Sequence, residues 1–202
     1  MDQQLPGRGA VAESAIDQLF RDARTHLSWA PTPITDADIR AIYDLAKLGP
    51  TSANSQPMRV VFVRSPEAKE KLKPALSAIN VEKTMSAPVT AIIGYDLDFP
   101  DYLLEAFPHR DVRPLFAGKT QLIEETAFRS GTLQGAYLIM AARALGFDCG
   151  PMSGFDPAQI DRLFFAGTNI KSNFLCNIGH GRGAAVAGRN PRLDFERTCQ
   201  IL

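Results

Sequence analysis

The chain has no excess of charge of either sign: 22 Lys and Arg stand against 22 Asp and Glu in 202 residues. With no net field, neither nucleic acid nor an anionic membrane is an expected partner. It also lacks a long hydrophobic run. The longest, AYLIMAA from Ala136 to Ala142, is far short of the ~20 residues that cross a bilayer. The opening MDQQLPGRGAVAES has an early acid and no apolar core of a signal peptide, so a cytoplasmic protein is expected. Cysteine is scarce, and Cys149, Cys176 and Cys199 are odd in number and scattered, which reads as reduced thiols and not as a disulfide frame or zinc site. His26, His109 and His180 are too far apart for local metal-ligand spacing, so no metal is expected. The ending CQIL has the form of a prenylation box. No polybasic stretch precedes it, so Ile201 and Leu202 are expected to pack on the fold.

Familiar catalytic signatures are missing too. No G-x-G-x-x-G or G-x-x-x-x-G-K-[ST] occurs, and GHGRG (179–183) precedes no helical pattern, so it reads as a turn that ends a strand. There is no G-x-S-x-G elbow, which leaves a hydrolase without support.

What is present is a mixed pattern. Residues 1–13 are polar and expected to be loose, followed by one domain over 14–202. A first helix is expected over 14–25, with Ile16, Leu19, Phe20 and Ala23 on one face. Thr35 with Asp38 three residues on makes a capping-box start for a second, closed by Gly49. RVVFVR and VTAIIGY read as strands, with SPEAKEKLKPAL between them as a helix carrying Pro66 at its first position. Residues 96–118 show no period and read as a long loop. A helix over 120–145, apolar on most sides, ends at Gly146, and its Gly131 and Gly135 would admit a second backbone closely. A short helix after Asp156 and Pro157 precedes the strand NFLCNIG. The order α-α-β-α-β-loop-α-α-β is an α+β pattern, which argues against a doubly wound nucleotide fold.

The stretch GPTSANSQP (49–57) has no large apolar side chain and exceeds the usual loop of about four to six residues. Thr51, Ser52, Asn54, Ser55 and Gln56 lie between Pro50 and Pro57. Such a segment is either a solvated linker or a rigid loop presenting amides and hydroxyls to a polar ligand. Scattered cations accompany it: Arg24 and His26 after the first helix, Lys83 in an N-x-x-K element with Asn80, and Arg189 and Arg192 in the tail.

Taken in order, ARTH, GPTSANSQP, N-x-x-K-T, ETAFRSGTLQGAYLIMAARALGFDCGPMSGFD, NIGHG and R-x-x-R resemble the FMN-dependent nitroreductase family over nearly the whole chain. DARTH, GPTSAN, ETAFR, GPMSGFD and PRL-x-FE resemble its RutE-type subfamily, assigned as malonic semialdehyde reductases of pyrimidine degradation. The resemblance implies a nitroreductase-like α+β fold, a mainly antiparallel sheet flanked by helices, in an intertwined homodimer with FMN between the subunits. It implies that Pro50, Thr51, Ser52 and Asn54 are lent to the partner's flavin. Arg24, His26, Arg189 and Arg192 match positions on the phosphate side, and Asn80 and Lys83 match contacts to the pyrimidine edge.

Pro151, Met152, Ser153 and Gly154 match the segment beside flavin N5, where many members carry an acid in place of Ser153. Met58 stands where an aromatic is usual. The implied chemistry is ping-pong hydride transfer from NADH or NADPH through N5 to a small acceptor, malonic semialdehyde, giving 3-hydroxypropionate. Within the segment around FPHRDVRPLF, expected to be a lid, Arg113 and Arg110 are candidates for the substrate carboxylate, and His109 and Ser153 are the candidate catalytic groups. A broad-range nitroaromatic or quinone reductase and a non-catalytic flavin-binding protein are the alternatives.

Overall fold

The computed structural model describes residues 9–182 and 188–202. Most of the expected loose N-terminus (1–8) and Gly183 of GHGRG lie outside the described residues. The chain begins with α1 (Glu13–Ile16), which continues as a wide π turn over Asp17–Arg21. The expected helix to residue 25 is cut short there. Its free carbonyls meet guanidinium groups, and Thr25 turns away to bridge Cys149. Helix α2 (Asp36–Ala46) opens on the expected capping box, with Thr35 Oγ1 accepting from Asp38 N and the Asp38 carboxylate accepting from Thr35 N.

Strand β1 (Met58–Val63), α3 (Pro66–Leu72) and β2 (Val89–Asp96) follow the sequence pattern, but α4 (Ala78–Met85) lies between the last two. Its periodicity is hidden because the inward positions are Asn80 and Thr84, polar side chains that are buried.

The segment after β2 is not a loose loop. It holds short turns, α5 (Leu103–Ala106) and its own apolar cluster, in which Phe99 and Phe116 pack edge to face at 5.0 Å over Ala127. Helix α6 (Thr120–Ala144) crosses the sheet. Next comes β3 (Asp148–Met152), a strand not expected from DCGPM because Gly and Pro are poor strand formers. As the last strand of its sheet it tolerates Pro151, which has no N–H to give. Helix α7 (Pro157–Phe164), capped by Asp156, β4 (Ile170–Gly179) and α8 (Phe195–Thr198) complete the order.

The four strands form one antiparallel sheet in the order β1-β2-β4-β3. Ala91, Ile93 and Cys176 face α2 and α6, while Ile92 and Leu175 face the side of α3 and α7. Both faces are covered, which explains why VTAIIGY is a continuous apolar run and not an alternating one.

The close approach through Gly131 and Gly135 is to the chain's own sheet. A Cβ at Gly131 would come within 2.9 Å of Tyr95 Cβ, and one at Gly135 within 2.6 Å of the Phe174 ring. Leu122 and Leu133 of α6 are left exposed, as is half of Phe128, whose ring packs edge to face on Tyr95 of β2 at 5.6 Å. The tail also departs from expectation. Ile201 and Leu202 are 85% and 106% exposed and do not pack on the single chain, and α8 before them buries no residue of its own.

Candidate functional site

Four arginines converge where the first turn, the end of α6 and the tail meet. Arg24, Arg143, Arg189 and Arg192 line one cavity of about 190 Å³ with Thr25 and Asn190, and no carboxylate lies among its lining residues. Arg189 donates to the carbonyls of Phe20, Arg21 and Ala23 at 2.7, 2.7 and 3.0 Å, and Arg24 donates to those of Arg21 and Ala23 at 2.8 and 2.9 Å. Those carbonyls end a helix, where cations are favoured. Desolvation lowers the Arg189 pKa, and the charges of Arg24, Arg192 and Arg143 lower it further. Like charges held together in this way form a receptor for a polyanion such as a phosphate.

Arg143 was not among the sequence candidates. Its signal was a lone cation in the apolar stretch IMAARALG, and α6 turns it toward the first turn, where it donates to Leu19 O at 3.1 Å. Nearby, His26 Nε2 lies 3.2 Å from Asp148 Oδ1 while Nδ1 is buried and has no partner among the described residues.

A second group forms where α4 meets the end of β3. Asn80 is 4% exposed and donates to Gly154 O at 2.7 Å. A side chain at Gly154 would collide with Asn80 Nδ2, so only glycine permits this contact. Lys83, on the same helix, has its pKa lowered by burial. Its carbonyl accepts from the Trp29 indole at 3.0 Å and from Asn177 Nδ2 at 3.2 Å. Met152 is buried, Pro151 half-buried and Ser153 exposed.

The loop with Pro50, Thr51, Ser52 and Asn54 lies elsewhere. Tyr137 donates to Pro50 O at 3.0 Å, Gln56 N donates to Thr51 Oγ1 at 3.2 Å, and Asn54 Nδ2 donates to Ala106 O at 2.6 Å. Ala53, Asn54 and Gln56 hold φ of 52°, 49° and 42°, a left-handed conformation that costs free energy at non-glycine residues. The loop is therefore a built feature and not a solvated linker. It borders a cavity of about 390 Å³ with Arg59, Tyr102 and Gln134. The cavity it borders contains none of the four arginines nor Asn80, and among the described residues no hydrogen bond joins this loop to them.

In the segment after β2, His109 and Arg110 are exposed. The Arg113 guanidinium is engaged by Asp111, with Nε to Oδ1 at 3.0 Å and Nη2 to Oδ2 at 2.8 Å. This pairing lowers the Asp111 pKa and raises that of Arg113.

Comparison with known proteins agrees with this architecture. The pattern that defines the Nitroreductase family matches residues 21–180. A protein of Burkholderia lata, provisionally named NADH dehydrogenase/NAD(P)H nitroreductase, is 58% identical over 191 residues, covering 95% of this chain and 98% of its own. A provisionally named nitroreductase of Exiguobacterium sibiricum, solved in complex with FMN, superposes with a TM-score of 0.82 at 20% identity, covering 96% of this chain and 99% of its own. A provisionally named NAD(P)H:FMN oxidoreductase of Staphylococcus epidermidis gives 0.81 at 20% identity, covering 99% of each chain. The last two establish the fold. With the matched pattern and the Burkholderia relative, they place this chain in the nitroreductase family.

Proposed function

We propose that the protein is an oxidoreductase that binds FMN and uses NAD(P)H as co-substrate. The observation that carries this reading is the cavity lined by Arg24, Arg143, Arg189 and Arg192, with no carboxylate among its lining residues, a donor set suited to a terminal phosphate. FMN, when bound, takes electrons in pairs from the nicotinamide and releases them to an acceptor.

The residues present fit that group. Arg24, Arg189 and Arg192, joined by Arg143, would hold the phosphate, with His26 beside them. Asn80 and Lys83 would meet the pyrimidine edge, and the lowered pKa of Lys83 reflects how far its surroundings are desolvated. Pro151, Met152, Ser153 and Gly154 would border the ring. Pro50, Thr51, Ser52 and Asn54 are separated from these groups within one chain, which supports a homodimer in which each subunit lends this loop to the other. Leu122, Phe128 and Leu133, exposed on α6, would be covered at that interface.

For the acceptor we propose malonic semialdehyde, reduced to 3-hydroxypropionate, on the strength of the RutE-type motifs. Asp111 already engages Arg113, so Arg110, which is exposed, is the arginine we assign to the carboxylate. His109 Nε2 or Nδ1 would carry the proton for the carbonyl oxygen. A broad nitroaromatic or quinone reductase is the second reading, favoured by the name of the 58% identical relative.

The deciding experiment is titration of flavin-free protein with FMN and FAD, followed by anaerobic NADH or NADPH and then each acceptor. FMN preference with bleaching of the bound flavin is expected. Binding without bleaching would leave only a flavin-storing protein. Faster reoxidation by a nitroaromatic than by malonic semialdehyde would favour the second reading.

A further inference from the structure

A buried amino group lies behind the helix that carries Asn80 and Lys83. Lys69 of α3 is 4% exposed, unusual for a side chain that is almost never fully buried unless paired. Among the described residues no carboxylate pairs with it. Its Nζ donates to Thr84 O at 2.8 Å and to Thr90 Oγ1 at 2.6 Å. The Thr90 hydroxyl donates on to Asn177 Oδ1 at 2.7 Å, and Asn177 Nδ2 donates to Lys83 O at 3.2 Å and Thr84 Oγ1 at 3.4 Å. The Thr84 hydroxyl in turn reaches Met152 Sδ at 3.5 Å.

Thr84 O and Lys83 O belong to the last turn of α4, where backbone carbonyls have no partner within the helix. Here two successive ones accept from side chains of Lys69, Asn177 and Trp29, and Thr84 O accepts also from Ala87 N at 3.3 Å. Thr90 and Asn177 face each other in the β2–β4 register. The network thus ties the carboxyl end of α4 to the two central strands, one turn from Asn80 and at the residue after Lys83.

We propose that Lys69 is a positioning residue: its buried amino group clamps α4 to the sheet and so sets the pose of Asn80 and Lys83 toward the flavin ring edge, which rests on the FMN reading above. A networked lysine is a costly way to fill core space that leucine would fill, and the cost is understandable if what it secures is the register of a polar helix face. Without the amino group the Thr84 carbonyl would keep only the longer bond from Ala87 N at 3.3 Å, and no apolar residue could replace the lost donor.

The test compares Lys69→Met with Leu72→Ala, a core truncation on the same helix that leaves the Nζ bonds in place. Amide hydrogen exchange is measured on flavin-free protein, then FMN affinity by fluorescence titration and the absorption spectrum of the bound flavin. Relative to Leu72→Ala at matched global stability, Lys69→Met should speed exchange across 78–86, weaken FMN about tenfold and shift the flavin bands. No greater change in Lys69→Met than in Leu72→Ala overturns the clamp. Faster exchange with unaltered affinity and spectrum overturns its role in positioning. Wild-type protein that binds no FMN would defeat the flavin reading by itself, while the exchange experiment still decides on the clamp.

Discussion

Replacing Lys69 by Met should change how stability depends on pH, by an amount the structure lets one estimate. Burial pushes the Lys69 pKa from 10.5 down to about 7. The native state thus binds this proton less tightly than the unfolded chain. Below about pH 7 both states are protonated and the native state bears the full penalty of a buried charge. Between 7 and 10.5 the unfolded chain holds more protons, so wild-type stability rises with pH, and above 10.5 the penalty has gone.

At about 1.36 kcal/mol per pKa unit the whole window is on the order of 5 kcal/mol, and the part between pH 7 and 9 about 2.7 kcal/mol. Met has no such proton. It also removes the amino donor from the Thr84 carbonyl, which keeps only Ala87 N at 3.3 Å, and from the Thr90 hydroxyl, a loss of roughly 1–3 kcal/mol that does not vary with pH. The predicted signature is therefore a slope and not an offset. Urea unfolding of both proteins at pH 6, 7, 8 and 9, at one protein concentration, should show wild type gaining on Lys69→Met by about 1.4 kcal/mol per unit above pH 7. All other titrating groups cancel in the difference. Parallel stability profiles would show that the amino group is not held in the environment described.

Arg192→Ala and Arg143→Ala should each weaken FMN by roughly 1–3 kcal/mol, more at low salt; unchanged Kd in fluorescence titrations would remove that arginine from the phosphate site. Light scattering should find a homodimer at micromolar concentration, and a Phe128→Glu/Leu133→Glu double variant should give monomers with lost flavin. A stable flavin-bound monomer of wild type would rule out the shared site. Arg110→Ala should raise KM for malonic semialdehyde at least as much as Arg113→Ala while turnover of a neutral quinone stays near wild type; equal effects on both acceptors would take these arginines out of substrate recognition.

Much of the fold follows from local rules that need no partner elsewhere in the chain. Thr35 and Asp38 start α2, Pro66 and Pro157 start α3 and α7, and the apolar run of β2 announces burial on both faces, whereas α6, expected to be buried on most sides, is buried on one face within a single chain. The order of motifs was enough to point to the nitroreductase family, and the pattern match bears that out. Two of the elements that escaped serve the candidate site. Helix α4 turns polar Asn80 and Thr84 inward, and β3 is written in Gly and Pro, so both break the periodicities by which elements are recognised.

The motif order had grouped Arg24, Arg189 and Arg192, but only tertiary structure brought Arg143 to them. These arginines come from distant stretches, and folded backbone carbonyls that accept from Arg24, Arg143 and Arg189 offset their repulsion. It also decided that Gly131 and Gly135 face the sheet and that Lys69, one of the charges on an ordinary surface-looking helix, is buried. Sequence pattern reports what each short segment prefers; which groups meet across the chain depends on packing that no local window contains.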